Sequence, residues 1–223
     1  MLHIPAVLDG DAIARVQALL DAAPWQDGRA TAGHMSIHVK QNRQLPEDCA
    51  AAREAGAIIR AALDTNALFM SGALPARIVP PLFNRYEGGE TYGAHIDGAI
   101  RHAAGQRIRT DLSATLFLSA PESYGGGDLV VRDGGGDHRV KLACGDMILY
   151  AATSIHQVEP VTRGARTAAF FWIQSIVRDG LQRQMLFDLD RTIQALQASA
   201  PGNPALLDLT GHYHNLIRLW ADG

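Results

Sequence analysis

Cysteine is scarce in this chain. Only Cys49 and Cys144 occur in 223 residues, far apart and in no C-x-x-C pair. A disulfide framework is therefore not expected, and both are read as reduced thiols of a cytoplasmic protein, although sequence alone leaves their pairing open. Charge of one sign is also missing: the net charge is −3 and Lys and Arg are dispersed, so neither a nucleic-acid nor a polyanion binder is indicated. No apolar run reaches the length of a membrane span. The start Met1-Leu2-His3-Ile4-Pro5 has no charged segment leading into a long apolar one, as a secretory signal would. Gly125-Gly126-Gly127-Asp128 and Gly134-Gly135-Gly136-Asp137 lack the following Lys-Ser/Thr of a phosphate loop and read as turns.

What is present is enough chain for one main domain with helical additions. Asp9 or Asp11 can cap a helix carrying Ile13, Val16, Leu19 and Leu20, which Pro24 stops. Met35, Ile37 and Val39 alternate as on a half-buried strand, and the Ala-rich stretch 47–69 reads as helix. From about residue 75 the pattern becomes short β runs between Gly and Asp turns. These are Leu82 to Tyr86, Leu112 to Leu118, Leu129 to Val131, Val140 to Leu142, Met147 to Tyr150 and Ala168 to Ile173. Such spacing predicts a sandwich or jelly roll. Two apolar helical stripes follow, Leu181/Met185/Leu186/Leu189/Ile193 and Leu206/Leu209/Tyr213/Leu216/Ile217/Trp220. They cover the β core or, alternatively, join two copies into a homo-oligomer. The expected organisation is an N-terminal helical and strand flank over 1–75, a jelly-roll core over 76–178 and a C-terminal helical segment over 179–223.

Chemistry concentrates at a few positions. His95 and Asp97 are two residues apart, His156 comes 59 residues after Asp97, and Arg166 follows ten residues later beside an apolar run. Each piece alone has an ordinary explanation, but two imidazoles and one carboxylate form the facial triad of non-haem Fe(II) oxygenases. The expected geometry has His95 and Asp97 on one face of a strand and His156 on a late strand of the opposite sheet. Arg166 is suited to grip the far carboxylate of a 2-oxo acid such as 2-oxoglutarate, and without an anion it would need an acidic partner of its own. Tyr86 and Tyr92 either donate to co-substrate oxygens or simply pack.

The runs Leu82-Phe83-Asn84-Arg85-Tyr86, Thr91-Tyr92-Gly93-Ala94-His95-Ile96-Asp97-Gly98 and Arg109 to Ser119 closely resemble the PKHD-type hydroxylases. These are small bacterial Fe(II)- and 2-oxoglutarate-dependent dioxygenases. His138 to Leu142, Thr162-Arg163-Gly164, Trp172 to Ser175, Met185 to Asp190 and Tyr213 to Leu216 extend the resemblance over nearly the whole chain. It implies a double-stranded β-helix with flanking helices, iron at His95, Asp97 and His156, and 2-oxoglutarate at Arg166. It implies a hydroxylase consuming O2 and releasing succinate and CO2, with ascorbate as reductant. A halogenase is disfavoured because Asp97 occupies the place a halide would take. A zinc hydrolase leaves Arg166 without a task, and a non-catalytic jelly-roll module makes the residue order a coincidence. The substrate, small molecule or peptide, is open. Arg101, His102, Arg107 and Arg109 form either a flexible lid suited to an acidic substrate or solvated loop charge.

Overall fold

The computed structural model describes residues 1–31, 38–103 and 105–222. Met35 and Ile37 lie outside them, and Val39 is in an exposed turn. The N-terminal part forms β1 (Leu2–Ile4), α1 (Gly10–Asp21), β2 (Gln26–Asp27), β3 (Lys40–Gln41), β4 (Arg43–Gln44), α2 (Ala50–Thr65) and α3 (Ala67–Ala73). Then come β5 (Pro75–Ile78), β6 (Leu82–Glu87), β7 (Thr91–His95), β8 (Ile100–Ala103), β9 (Gln106–Arg109) and β10 (Leu112–Phe117). They are followed by β11 (Gly125–Gly126), β12 (Leu129–Asp133), β13 (Gly136–Val140), β14 (Met147–Ala151), β15 (Ile155–Val158), β16 (Val161–Arg163) and β17 (Ala165–Ser175). The helices α4 (Gly180–Ser199) and α5 (Ala205–Trp220) close the chain.

Two antiparallel sheets face each other. The larger runs β1-β14-β10-β17-β6-β4-β2, with β5 also on β17, and the smaller runs β13-β12-β15-β7-β3. Strand period sorts the residues of the large sheet. On β10, Leu112, Ala114 and Leu116 point to a core shared with Val16, Leu20, Ile59, Leu63 and Phe69 of α1 to α3. Each fully buried Val, Leu, Ile or Phe side chain of that core contributes about 1.5–3 kcal/mol. The alternate residues Ser113, Thr115 and Phe117 face the small sheet, where Tyr86, Leu129, Val131, Ile148, Tyr150, Val158 and Val161 fill most of the gap.

Several boundaries differ from expectation for local reasons. Asp9 does cap α1, accepting from the Ala12 amide. The expected helix over 47–69 is two, because Asn66 turns extended and its side chain starts α3 by accepting from Phe69 N. The strand expected at Val140 to Leu142 lies earlier: the two-residue turn at Gly134-Gly135 starts it at Gly136, and it ends at Val140, the partner of Leu129 where β12 begins. The N-terminal segment does more than pack on the core: β1, β2 and β4 extend the large sheet and β3 the small one. The basic stretch after Asp97 forms a β-hairpin in which Ile100–Ala103 pairs with Gln106–Arg109. In the C-terminal stripes Leu186 and Leu206 are buried, whereas Leu181 and Met185 are exposed. Both cysteines are free. Among the described residues no helix is long and apolar enough to cross a membrane.

Candidate metal centre and its pocket

The gap between the sheets opens into a cavity of about 630 Å³. His95 at the end of β7 and His156 on β15 are direct cross-strand partners, with ring centroids 4.2 Å apart. The two imidazoles therefore come from neighbouring strands of the small sheet, not from opposite sheets. The long sequence gap is the detour through β8 to β14 before the chain returns beside β7. Asp97 lies past the end of β7, in the segment before β8, so a bend in the chain brings it to His95 in place of strand alternation.

Backbone carbonyls two residues earlier orient both rings: His95 Nδ1 lies 2.8 Å from Gly93 O and His156 Nδ1 3.1 Å from Ser154 O. A proton on each Nδ1 leaves Nε2 as the lone-pair donor. Asp97 Oδ2 is 3.7 Å from His156 Nε2 and accepts from Ser113 Oγ at 2.6 Å. One ligand atom from each of the three residues lies within 4.8 Å of the others. Donors about 2.0–2.2 Å from one ion sit roughly 3 Å apart when mutually perpendicular, so a small contraction makes a facial set. Removing the Ser113 hydroxyl frees the carboxylate to rotate. Ser113→Ala is expected to weaken Mn(II) or Fe(II) binding by about ten- to a hundredfold, read by metal titration. Unchanged affinity would show that Asp97 is oriented by other contacts.

Burial, reinforced by the neighbouring His156, pushes the His95 imidazole down to about 4 from an ordinary 6.5. His95 is thus neutral and ready as a ligand at pH 7. As pH falls below 6.5 the unfolded chain protonates this ring, and the folded metal-free protein follows only near 4. The contribution of His95 to stability is therefore intact above 6.5 and lost progressively between 6.5 and 4. Melting temperatures of the metal-free protein should fall across that window, with a shallower slope in His95→Gln. Equal slopes would exclude His95 as the source.

Arg166 lies on β17 directly opposite Tyr86 on β6. It is 1 % exposed, and its Nε, Nη1 and Nη2 have no hydrogen-bond partner among the described residues. Its guanidinium is 5.3 Å from the Phe117 ring centre and 5.5 Å from that of Tyr86. A Cβ on Gly127 would stand 3.2 Å from Arg166 Cδ, and Gly127 has φ +66°, so only glycine lets this loop close over the arginine stem. A buried, unpaired cation is costly. It fits an anion that arrives with a ligand, and the donor set at the other end fits a divalent metal.

The two tyrosines take different places. Tyr86 is fully buried beside Arg166, its hydroxyl accepts from Asn84 Nδ2 at 3.3 Å, and burial keeps it protonated. Tyr92 stacks on His95 at 3.7 Å between centroids, at the metal end. Sequence reasoning missed Ser113, Tyr150, Trp172 and Lys40. Tyr150 stands edge-on to His156 at 5.2 Å. Lys40 is buried, and desolvation, with Arg101 adding repulsion, lowers its ammonium to about 8. The polar Ser113 and Thr115 inside an apolar strand were the one signal available for this group.

Residues 81–174 match the 2OG-Fe(II) oxygenase superfamily, and residues 180–222 match the PKHD-type hydroxylase C-terminal domain. A PKHD-type hydroxylase of Burkholderia lata is 56% identical over 225 residues, covering 100% of this chain and 99% of that one. Among solved structures, a prolyl hydroxylase from Trichoplax adhaerens bound to a peptide fragment superimposes with TM-score 0.57 at 14% identity, over 77% of this chain and 82% of that one. HygX of Streptomyces hygroscopicus, with nickel, 2-oxoglutarate and hygromycin B bound, gives 0.53 at 18% identity, over 78% and 82%. A jelly roll carrying His95, Asp97 and His156 at one end of its pocket and a buried, unpaired Arg166 at the other agrees with these matches, and the chain belongs to the PKHD-type hydroxylases, Fe(II)- and 2-oxoglutarate-dependent dioxygenases.

Proposed function

We propose that His95, Asp97 and His156 hold one Fe(II), and that Arg166, with Tyr86 beside it, receives the distal carboxylate of 2-oxoglutarate during hydroxylation of a small molecule or peptide. The observation that carries this reading is the buried guanidinium of Arg166, which stands among aromatic rings with no hydrogen bond and no acidic partner among the described residues. A zinc hydrolase gives that cation nothing to do, and a jelly-roll binding module leaves the two imidazoles and the carboxylate gathered in the same pocket unexplained. Bound nickel and 2-oxoglutarate in HygX support the same pairing of metal and co-substrate on this fold.

Fe(II), when bound, supplies the redox chemistry that couples O2 consumption and 2-oxoglutarate decarboxylation, to succinate and CO2, with hydroxylation of the substrate. The chain supplies position and exclusion of water. Two neutral imidazoles and one carboxylate leave the centre net positive, which favours an anionic chelator beside it. Ser113 fixes the Asp97 carboxylate, and Tyr92 holds the His95 ring by stacking. Leu129, Phe170 and Val158 add apolar surface to the lining of the pocket, and in such surroundings a charge pair is stronger than in water. Ascorbate serves as reductant, and a cytoplasmic setting would keep both the iron and the two free thiols reduced. Exposed Leu181, Met185, Leu207 and Leu219 on α4 and α5 favour a homo-oligomer through these helices, which light scattering of the purified protein checks.

The test is succinate formation from 2-oxoglutarate with Fe(II), ascorbate and O2, over a panel of metabolites and peptides. Metal-dependent succinate that rises with a subset of the panel is expected. No succinate above a chelator-treated control, with 2-oxoglutarate in excess, would end the dioxygenase reading.

A further inference from the structure

We infer that the substrate carries an anionic group, a carboxylate or a phosphate, received at the metal end of the pocket by Lys40, Arg101 and the indole N–H of Trp172. This rests on the Fe(II)/2-oxoglutarate reading above and names a substrate class for it.

Trp172 shares a face of β17 with Arg166, six residues away, so the two side chains serve opposite ends of the cavity. Its cross-strand partner is Ser113, the residue that holds Asp97. Trp172 is only 5 % exposed, and its Nε1 has no hydrogen-bond acceptor among the described residues. Buried donors are rarely left so, because an unmet one is a standing cost. An acceptor brought by a ligand removes that cost.

Arg101 stands over the same indole, 4.3 Å from guanidinium carbon to ring centre. Its ion pair with Glu47 is long, 3.8 Å, and the Glu47 side chain is 57% exposed, so water screens it. The contact with the ring holds the guanidinium at the pocket lining and leaves it able to take a stronger anion. Lys40 lines the same pocket, donates to Gln44 Oε1 at 2.7 Å and stands 5.4 Å from the ring of Tyr92, the residue stacked on His95. Lys40 and Arg101 repel each other enough to help lower the Lys40 ammonium. An anion bound in the pocket that both line relieves that repulsion.

Charge bookkeeping points the same way. Among the described lining residues the acid is Asp97, and the cations are Lys40, Arg101 and Arg166. A divalent metal, a co-substrate dianion, Asp97 and Arg166 cancel, so the lining an incoming group meets is cationic at Lys40, which donates to Gln44, and at Arg101, whose exposed partner Glu47 stands outside the pocket. The rest of the β8–β9 hairpin does not add to them. His102 and Arg107 are exposed, and Arg109 is spent on Asp111 and Asp222.

The probes are inorganic phosphate and acetate, each titrated into protein saturated with Mn(II) and 2-oxoglutarate, with Mn(II)-induced relaxation of the 31P or 13C nucleus as readout. At least one anion should show saturable enhancement that persists at saturating 2-oxoglutarate, and the stronger of the two identifies the preferred head group. Arg101→Gln and Lys40→Gln should each weaken that binding about tenfold. Trp172→Phe should weaken it several-fold, and His102→Gln, exposed on the same hairpin, should not change it. Enhancement that never saturates, disappears when 2-oxoglutarate is added, or is equal in wild type and Arg101→Gln overturns the inference alone. A protein that takes up neither Mn(II) nor 2-oxoglutarate defeats the underlying reading first.

Discussion

Arg166→Ala is expected to weaken 2-oxoglutarate binding at least ten- to a hundredfold while leaving metal affinity nearly unchanged. Each charge-assisted hydrogen bond from the guanidinium is worth about 1.5–3 kcal/mol, and a bidentate pair uses two. Arg166→Lys should recover only part, because it keeps the charge but loses the planar fork. The same residue predicts a stability effect of opposite sign. Arg166 is fully buried with no partner among the described residues, so the ligand-free fold carries an unpaired charge. Replacing buried ionic groups by apolar ones of similar size can stabilise by about 1–4 kcal/mol. Arg166→Met should therefore melt several degrees higher than wild type without ligand, at about 2–4 °C per kcal/mol. With 2-oxoglutarate at a hundred times its Kd, wild type should gain about 2.7 kcal/mol and the variant almost nothing. The two curves then approach or cross. A ligand-induced shift equal in wild type and Arg166→Met would remove the arginine from the co-substrate site.

Loss of any one of His95, Asp97 or His156 should abolish turnover and reduce Mn(II) or Fe(II) affinity by more than about a hundredfold, the upper end of what losing a ligand's supporting hydrogen bond costs. The two histidines sit opposite each other on paired strands, so alanine at either keeps the backbone ladder. The fold should therefore survive, as circular dichroism would report. Metal binding to the folded state alone raises melting temperature by mass action. Mn(II) should stabilise wild type and not His95→Ala, Asp97→Ala or His156→Ala. A variant that retains both the Mn(II)-induced shift and succinate formation would show that its residue is not a ligand.

The contrast between Tyr86 and Tyr92 shows where sequence stops being informative. Both are tyrosines shortly before the same H-x-D, and nothing local separates them. Register does: Tyr86 on β6 lies across from Arg166 on β17, whereas Tyr92 on β7 stacks on a metal-site histidine. The same holds for the basic stretch after Asp97. Its charges are alike in sequence, yet hairpin pairing sends Arg101 to the pocket and ties Arg109 to Asp111 and the C-terminal end. Lys40 had no signal at all, because a single lysine near a two-residue strand gains meaning only when β3 pairs with β7.

The sequence by itself determined the β-rich class and singled out His95, Asp97, His156 and Arg166 as candidates for metal and co-substrate, which the structure gathers in one pocket. Metal and carboxylate chemistry restrict which side chains can serve, and strand period is written in the apolar pattern. It did not determine which strands are neighbours. His95 and His156 are joined across one sheet, and Asp97 joins them from a segment beyond the strand end, held by a serine from the facing sheet. Strand pairing is a long-range choice made by whole-sheet packing, with no local residue code for it. Only the tertiary structure could therefore decide what surrounds the three candidate ligands and which polar groups share their pocket.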